Sequence, residues 1–501
     1  MKAILMLYEN VFTLFAKKAA KYYRFLNQWL LGEEAMFNSK LPKILDTTLR
    51  EGELFQRFRL ETKVKVAKLL AEAGLDRIEL TVDYPPRTSR RDVKEVVDAL
   101  KSYDVEIVIH GRACKRDVEA AAKYDVDGIG VYMAPTRLHR EYKFGGIEFR
   151  EAVDRLRDAI ALAKDYGFHY RRATIEDASR FYFEEDGFRK LLQIIEELKD
   201  EGATIISVPD TSGILTPLQV RRLFGRLKEG CDIPLSAHFH NDYGHASANT
   251  IEAALVGVEE LQTSILGIGD RNGIADLYEV AAPLIDIHGF EFRLKRDFLQ
   301  ELYQRFSKLT GIKIPFRHPL SDEAKTIRAG VHQSMAVKAP QGYIPAGKLK
   351  HDFAKIFFEV TPFLSKRVVE KLLGTKVDPN VLRMISEKLA EKASEHGGSL
   401  DPKHVKNVLE NFGFKVNEEA LRSILKPEKA YILLNLDPRY PVRMMIDEII
   451  GWEDVEEVNE VYGDADLIIV AKMDRTKKNV VERIRKKFKE GITGMRVLIT
   501  D

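Results

Sequence analysis

The stretch Leu45-Asp46-Thr47-Thr48-Leu49-Arg50-Glu51-Gly52-Glu53 ends an apolar run that begins at Lys43. Such a run predicts a strand, and Gly52 predicts the turn that follows it. In parallel βα architectures the ligand sites lie beyond the carboxyl ends of the strands. At such an end Arg50 can hold a carbonyl oxygen and Glu51 a metal ion. A solvated charge pair is the other interpretation that this stretch alone leaves open.

Two histidines stand two residues apart in a later stretch, Ser236-Ala237-His238-Phe239-His240-Asn241-Asp242. Alternate residues of a strand point to the same face, so His238 and His240 should project together, with Phe239 on the opposite face. Imidazole and carboxylate groups are common ligands of divalent transition ions. The spacing therefore favours a metal site over two structural histidines.

The chain from Lys43 onwards alternates apolar strands with amphipathic helices. The predicted strands end at Leu49, Val82, His110, Met133, Ile175, Val208, Phe239 and Leu266. The predicted helices cover residues 63–73, 90–101, 115–123, 149–164, 188–199, 217–227, 245–255 and 275–287. Eight βα units in roughly 250 residues predict an α/β fold, a closed (β/α)₈ TIM barrel. A doubly wound sheet fits less well, because no glycine-rich dinucleotide fingerprint follows the first strand.

Closure of such a barrel makes strands 7, 8 and 1 neighbours, which brings Glu51 and the two histidines to one rim. The glycine-rich loop Gly267-Ile268-Gly269-Asp270-Arg271-Asn272-Gly273 follows strand 8 on the same rim, where its backbone can approach a ligand closely. The other strands carry further polar candidates, namely Glu79, His110, Arg172, Thr174, Glu176, Asp177, Asp210 and Thr211. Each alone is more simply a satisfied core group, but together they predict a site for a small polyanionic substrate.

Charge and cysteine content exclude several classes of protein. Lys and Arg number 79 against 77 Asp and Glu, and a net charge of +2 gives no reason to expect nucleic acid or an anionic membrane as a partner. The 2 cysteines are far apart in sequence and form no CxxC motif. No apolar run reaches the ~18 residues of a membrane helix, and no signal-peptide cleavage site is evident. We expect a cytoplasmic protein.

Four segments are predicted along the chain. Residues 1–40 are expected to form one or two amphipathic helices or a frayed extension, residues 41–290 the barrel, and residues 291–425 a charged helical subdomain. Residues 428–501 follow the order strand, helix, strand, strand, helix, strand, with a hairpin turn at Gly463-Asp464. This order predicts a C-terminal ferredoxin-like βαββαβ domain.

The three barrel motifs, in this order and spacing, resemble those of homocitrate synthase and its relative 2-isopropylmalate synthase. These metal-dependent barrels condense acetyl-CoA with a 2-oxo acid in a Claisen-type reaction and hydrolyse the thioester. The resemblance covers roughly residues 43–343. It implies an acetyl-CoA-dependent acyltransferase, with acetyl-CoA as co-substrate and a divalent ion (Mg²⁺, Mn²⁺, Zn²⁺ or Co²⁺) as cofactor.

Carried over by position, the resemblance implies a metal site and a group that acts on the acceptor. Glu51, His238 and His240 would ligate the ion. Arg50 would stabilise the alkoxide that develops on the keto oxygen, with His110 nearby.

The same resemblance implies groups that act on the acetyl-CoA. His332, in Ala329-Gly330-Val331-His332-Gln333, would be the catalytic base, and Tyr343 would assist it. Glu79 and His110 are candidates for holding the acetyl group or relaying protons. A flexible segment that closes over the barrel mouth would deliver His332 and Tyr343.

The acceptor implied by the resemblance is 2-oxoglutarate, which would make the chain a homocitrate synthase of lysine biosynthesis. Arg172, Thr174 and Thr211 match positions that bind the distal carboxylate of this acceptor, and an arginine fork suits a carboxylate. Glu51 in place of Asp, and Asp270 before Arg-Asn-Gly, also resemble the homocitrate branch.

Several positions depart from the family pattern, among them Leu54, Ile327 and Ser212. They leave other acceptors open, as in 2-isopropylmalate, citramalate or Re-type citrate synthases. Two other classes also stay open. One is a carbon–carbon lyase in the manner of hydroxymethylglutaryl-CoA lyase, and the other is a non-catalytic, amino-acid-responsive assembly protein.

The C-terminal stretch Val461-Tyr462-Gly463-Asp464-Ala465-Asp466-Leu467 resembles the effector-binding domain of the leucine-responsive regulator family. The resemblance implies a homodimer or higher homo-oligomer and feedback sensing of an amino acid such as lysine. An oligomerisation module without a ligand is the equal alternative.

Overall fold

The computed structural model describes residues 41–85, 88–353, 355–416, 421, 424–425, 429–452, 454–472 and 480–499. The helices predicted within residues 1–40 lie outside this range. The chain divides into two compact units between Leu294 and Lys295, close to the predicted end of the barrel at residue 290. None of the helices in the described ranges is long and apolar enough to cross a membrane.

The first unit is a closed barrel of eight parallel strands in sequential order, which confirms the predicted TIM-barrel fold. Its strands are β1 (Lys43–Asp46), β2 (Arg77–Thr81), β3 (Glu106–Arg112), β4 (Gly128–Met133), β5 (Tyr170–Ile175), β6 (Ile205–Asp210), β7 (Leu235–Phe239) and β8 (Glu260–Thr263). Strand β1 pairs with β8 and closes the barrel.

One helix follows each strand on the outside of the barrel. These helices are α1 (Leu60–Glu72), α2 (Arg90–Leu100), α3 (Lys115–Ala121), α4 (Phe149–Asp165), α5 (Gly187–Glu201), α6 (Pro217–Gly230), α7 (Ala246–Leu255) and α8 (Leu277–Asp286). Two short helices, Gly52–Phe55 and Arg137–Tyr142, lie in the loops after β1 and β4. The predicted Thr216 cap and Pro217 first turn are present at the start of α6.

The motif Asp46-Thr47-Thr48 connects the end of β1 to the end of β8. The backbone N–H of Thr47 donates to the carbonyl of Thr263 at 2.8 Å, and the hydroxyl of Thr48 accepts from the N–H of Ile265 at 2.9 Å. The N–H groups of Arg50 and Glu51 then turn back to the carbonyl of Thr47. Strand β1 therefore ends at Asp46 and not at Leu49 as predicted, because the chain from Thr47 onwards is a turn.

The second unit begins with helices that surround a small parallel pair of strands, β9 (Thr326–Ile327) and β10 (Phe357–Phe358). Its helices are α9 (Leu299–Thr310), α10 (Gly330–Ala336), α11 (Ala346–His351), α12 (Lys366–Leu373), α13 (Pro379–Glu395) and α14 (Pro402–Asn411). Helices α12 to α14 bury a shared apolar cluster. The region is mainly helical, in agreement with the prediction.

The C-terminal part has the predicted order of elements. It runs β11 (Lys429–Leu436), α15 (Val442–Ile449), β12 (Val455–Glu460), β13 (Leu467–Lys472), α16 (Val480–Lys487) and β14 (Ile492–Ile499). The four strands form an antiparallel sheet in the order β12-β13-β11-β14, and both helices share one apolar core with it. This is the ferredoxin-like arrangement.

Asp46 gives the barrel a pH-dependent stability. Burial raises the pKa of its carboxyl group from 3.8 to about 7, while its Oδ1 accepts the N–H of Thr48 at 2.9 Å. The folded chain therefore holds this proton more tightly than the unfolded chain, and the free energy of unfolding should fall as the pH rises from about 4 to about 7.

We predict that Asp46→Asn, which keeps the Oδ1 acceptor, removes this decline. The pKa shift corresponds to at most about 4 kcal/mol across the window. Urea denaturation at pH 5 and pH 8 measures the effect, and Asp125→Asn at an exposed position is the matched control. A wild type and an Asp46→Asn variant with the same pH dependence would contradict the prediction.

Candidate active site

A cavity of about 370 Å³ opens at the carboxyl ends of the barrel strands. Every strand except β1 contributes a residue to its wall, and the turn after β1 contributes Arg50, Glu51 and Leu54. The predicted site residues of the barrel that line it are Arg50, Glu51, His110, Arg172, Thr174, Thr211, His238 and His240. Glu176 lines the cavity as well, whereas Glu79, Asp177 and Asp210, which were predicted at the same rim, are not part of its wall.

His238 of β7 and His240, the first residue after β7, project to the same side, as predicted. Their Nε2 atoms lie 3.4 Å apart, while Phe239 points outward and packs against Phe224 of α6. Burial lowers the pKa of both imidazoles, that of His238 well below 6.5. Both rings are therefore neutral near pH 7, which is the form that binds metal ions.

Glu51 approaches from the turn after β1 and is 3% exposed. Its Oε2 accepts from Nη1 of Arg50, and its Oε1 accepts from the N–H of Asp270 at 3.3 Å. Burial alone would raise the pKa of this carboxyl group, but Arg50 and then His240 offset the effect, so the pKa lies below 4.5. Glu51 is a carboxylate next to the histidine pair.

These donors fit a divalent ion. Two nitrogens 3.4 Å apart can both reach one ion at about 2.1 Å, and the Nδ1 atoms of both rings are buried without a hydrogen-bond partner among the described residues. No three His, Cys, Asp or Glu side chains of the described ranges stand close enough to form a complete site. Both oxygens of Glu51 are engaged, one by Arg50 and the other by the N–H of Asp270.

The glycine-rich loop after β8 lies against the same carboxylate. A Cβ atom on Gly269 would lie 2.9 Å from Cγ of Glu51, so only glycine lets this backbone approach. Arg271 of the loop donates to both oxygens of Asp242 at 2.8 Å and ties the loops after β7 and β8 together. The loop backbone therefore approaches Glu51 closely, and its predicted approach to a ligand stays a prediction.

Glu79 of β2 is the centre of a buried ionic chain. Its carboxylate is fully buried, and it accepts from Nη2 of Arg172 and, at 2.6 Å, from Nε of Arg50. Burial opposes ionisation, but these two arginines hold the pKa of Glu79 far below its ordinary value. Arg172 is fully buried as well, so its guanidinium lies inside the barrel and already holds a carboxylate.

Below Arg172 the chain of charges continues towards the other end of the barrel. Buried Glu260 of β8 accepts from Nη1 of Arg77 at 2.7 Å and from the hydroxyl of Tyr170 at 2.9 Å, and it lies 3.7 Å from Nη1 of Arg172. Glycines of β4 make room for these large side chains. A Cβ on Gly130 would lie 2.6 Å from Nη2 of Arg172, and one on Gly128 would collide with Tyr170.

His110 of β3 joins this network from the side. Its Nδ1 lies 3.0 Å from Nη2 of Arg172, and its ring stacks on Tyr132 of β4 with centroids 5.1 Å apart. Burial lowers the pKa of His110 to about 3, so the ring is neutral near pH 7. A neutral imidazole can accept one hydrogen bond and donate another. The role of His110 as a proton relay stays a prediction.

The two threonines of the predicted acceptor site differ in their partners. The hydroxyl of Thr211 accepts from the N–H of Asp177 at 2.9 Å. The hydroxyl of Thr174, a residue that is 9% exposed, has no hydrogen-bond partner among the described residues. Thr174 therefore keeps a free polar group in the wall of the cavity.

The cavity is also lined by Tyr132, Lys143 and Arg112, for which no sequence motif predicts a role. Nζ of Lys143 lies 2.7 Å from each carboxylate oxygen of Glu176 and 5.4 Å from the ring centre of Tyr132. No motif announces Lys143, because it follows a short helix in the loop after β4. The path of this loop, and not the spacing of Lys143 from the end of β4, brings the lysine to the cavity.

His332 and Tyr343 lie in the second unit. Their rings stack with centroids 4.1 Å apart, and both residues are exposed. The two side chains are therefore in contact. Their roles as catalytic base and its assistant stay predictions.

A TIM barrel with an Arg-Glu turn after β1 and a His-x-His pair at the end of β7 defines a class of metal-dependent barrel proteins. The family model described as HMGL-like matches residues 41–303. That match covers more than half of the chain, and the chain belongs to the HMGL-like family. The predicted membership of this superfamily of barrels is confirmed.

Curated relatives include three synthases. The chain is 33% identical to a probable 2-isopropylmalate synthase of Methanopyrus kandleri, over 60% of this chain and 60% of the relative. It is 32% identical to an (R)-citramalate synthase of Methanocaldococcus jannaschii, over 61% of each. It is 30% identical to a homocitrate synthase of Sulfolobus acidocaldarius, over 88% of this chain and 94% of the relative. The chain thus spans about three fifths of the length of the first two and nearly all of the third.

We predict that Mn²⁺ stabilises the chain through the histidine pair. A ligand that binds only the folded state raises its stability by mass action. Excess Mn²⁺ should raise the melting temperature of the wild type after chelator treatment, and the double variant His238→Ala/His240→Ala should lose most of this rise. His169→Ala, an exposed histidine, is the control. An equal rise in the double variant would contradict the assignment.

Proposed function

We propose that this chain is a metal-dependent acyltransferase that condenses acetyl-CoA with a 2-oxo acid and hydrolyses the thioester. The observation that carries the proposal is the shared rim on which Arg50, Glu51, His238 and His240 meet. The three relatives reported above are named as 2-isopropylmalate, (R)-citramalate and homocitrate synthases, and these names support the same class.

The ion, held by Glu51, His238 and His240, would polarise the keto oxygen of the acceptor as a Lewis acid. Glu51 would have to release Arg50 to take this place. Arg50 would then keep its contact with Glu79, and its other guanidinium nitrogens would face the developing alkoxide. Fixed donors of this kind stabilise charge in the transition state without reorganisation.

Proton transfer at the acetyl group is assigned to His332 with Tyr343. The stacked pair offers an imidazole and a phenol side by side. Within the barrel, His110 contacts Arg172 and stacks on Tyr132, and its neutral imidazole would form hydrogen bonds with the acetyl group. Glu79 is kept ionised by two arginines, so its part is to position them and not to donate a proton.

The acceptor we propose is 2-oxoglutarate, which makes the chain a homocitrate synthase of lysine biosynthesis. The match to the homocitrate synthase of Sulfolobus acidocaldarius extends over 88% of this chain, well beyond the barrel. The cavity is also balanced in charge. Arg50, Arg112, Lys143 and Arg172 line it with Glu51, Asp117 and Glu176, and Glu79 adds a fourth carboxylate. A divalent ion would add two positive charges, which a dianionic acceptor would neutralise.

The C-terminal ferredoxin-like domain is proposed to assemble the chain into a homodimer or larger oligomer and to bind an amino-acid effector such as lysine. Support comes from the four-stranded antiparallel sheet, which is covered by α15 and α16 on one face. Strand β14 forms one edge of this sheet, and its Leu498 is 57% exposed.

Release of free thiol from acetyl-CoA tests the proposed reaction. With Mg²⁺ or Mn²⁺ present, we expect release that depends on a 2-oxo acid and is fastest with 2-oxoglutarate. Arg50→Lys should lower kcat by about a hundredfold, because a positioned donor to the oxyanion is lost. Arg91→Lys, an exposed arginine paired with Glu95, is the control.

The other outcomes of this assay are distinct. Release with pyruvate or 2-oxoisovalerate alone would keep the reaction and replace the acceptor. Cleavage of hydroxymethylglutaryl-CoA without condensation would establish a lyase. Absence of any turnover would leave the non-catalytic assembly protein as the better description.

A further inference from the structure

The turn after β8 has an arginine where the backbone favours glycine. The N–H of Gly273 donates to the carbonyl of Asp270 at 2.8 Å, which makes Arg271 the first of the two central residues of a tight turn. Arg271 has a φ of 54°, in the left-handed region that residues with a Cβ atom rarely adopt. A glycine would form this turn without strain, so the backbone alone does not account for the arginine.

The side chain of Arg271 joins three loops at the mouth of the barrel. Its Nε and Nη2 atoms donate to the two oxygens of Asp242, in the loop after β7, each at 2.8 Å. Nη2 also donates to the carbonyl of Thr211, in the loop after β6, at 2.8 Å. The Asp242 carboxylate packs over Gly213, where a Cβ atom would lie 2.6 Å from its Oδ2. The guanidinium fork therefore ties the turn after β8 to the two preceding loops.

The same turn presents a hydrogen-bond donor to Glu51. The backbone N–H of Asp270 donates to Oε1 of Glu51 at 3.3 Å. The Asp270 side chain in turn accepts from the backbone N–H of Arg271 at 3.0 Å and from Nη1 of Arg271 at 3.2 Å. The other oxygen of Glu51 is held by Arg50, which Glu51 would have to release to bind an ion. The Asp270 N–H is therefore the contact that Glu51 can keep when an ion binds.

Stability alone gives little reason for this arrangement. The side chains of Arg271 and Asp242 are 40% and 28% exposed, and exposed ion pairs contribute little to stability. Strained backbone conformations persist where the surrounding structure enforces them, and they cluster at functional sites. Groups that hydrogen-bond to a metal ligand orient it, and their loss commonly lowers metal affinity by about ten- to a hundredfold. The contact between Asp270 and Glu51 gives the strained turn a role of this kind.

We propose that Arg271 is a positioning residue of the metal site. Its guanidinium holds the turn after β8 against Asp242 and Thr211. The turn then directs the N–H of Asp270 at Glu51 and orients that carboxylate as a ligand of the divalent ion. The inference rests on the metal site of the proposed function and adds the residue that keeps its carboxylate in place.

Substitution of Arg271 by glycine separates this role from a structural one. Arg271→Gly removes the guanidinium and relieves the backbone strain, so the metal-free variant should melt close to the temperature of the wild type. Its dissociation constant for Mn²⁺ should nevertheless rise about tenfold, because Glu51 is no longer held. Removal of a positive charge beside a cation site would by itself have the opposite effect. The electron paramagnetic resonance signal of free Mn²⁺, which decreases on binding, measures the dissociation constant.

A conservative variant and a matched control complete the experiment. Arg271→Lys keeps the charge but lacks the planar fork that holds both oxygens of Asp242, so its dissociation constant should rise less than that of Arg271→Gly. Asp186→Gly is the control, because Asp186 also has a positive φ, of 56°, and pairs with exposed Arg189 outside the wall of the cavity. This variant loses the same kind of strain and should bind Mn²⁺ as the wild type does.

Melting temperatures show whether each variant is folded. A dissociation constant for Mn²⁺ equal to that of the wild type in folded Arg271→Gly would overturn the assignment, and if that variant does not fold, the same result in Arg271→Lys would overturn it. Mn²⁺ binding that survives unchanged in His238→Ala/His240→Ala would refute the metal site, and the assignment with it. A tenfold weaker binding in Arg271→Gly, about the effect expected for a lost ligand-orienting contact, supports the assignment even if the wild type releases no thiol from acetyl-CoA. That last result would refute the proposed condensation alone.

Discussion

Glu79 holds the inside of the barrel together. A carboxylate with no exposure to solvent can stay ionised only if positive charge surrounds it, and Arg172 and Arg50 provide that charge from β5 and from the turn after β1. The contact fixes Arg50 beside Glu51 and keeps Arg172 one layer below the mouth. The geometry of the rim follows from these two ion pairs, because Arg50 in turn directs the carboxylate of Glu51.

This constraint divides the charged groups of the site into two sets. Arg172, Glu79, Glu260 and Arg77 form a buried chain in which every partner is fixed, while Lys143 and Glu176 form an exposed pair whose partners can change. The buried groups keep their partners. An exposed ion pair contributes little to stability, so it can separate with only a small change in free energy. The inner set therefore orients Arg50, through its ion pair with Glu79.

The sequence predicted the fold and much of the rim, because alternation of strands and helices and the spacing of His238 and His240 are local properties. The predicted end of β1 at Leu49 was wrong, because the apolar pattern continues into a turn. This turn is defined by the hydrogen bonds of Thr47. The partner of Arg172 could not be predicted, because Glu79 lies far away in sequence. The role of the glycines in β4 could not be predicted either, because they make room for Tyr170 and Arg172 of the neighbouring strand. Lys143 reaches the cavity through the path of a loop, which residue spacing does not encode.

The most direct measurement is a double-mutant cycle on the buried pair, using Glu79→Gln, Arg172→Met and the double variant, with the free energy of unfolding at pH 7 as the readout. Each single substitution leaves a buried charge without its ionic partner, so each single variant should be destabilised by about 3 kcal/mol or more. Because both single substitutions break the same contact, the double variant should lose less free energy of unfolding than the two single losses added together. The difference, which is the coupling energy, should be at least about 1 kcal/mol. Additive losses would contradict it, because they would mean that Glu79 does not hold Arg172 in place.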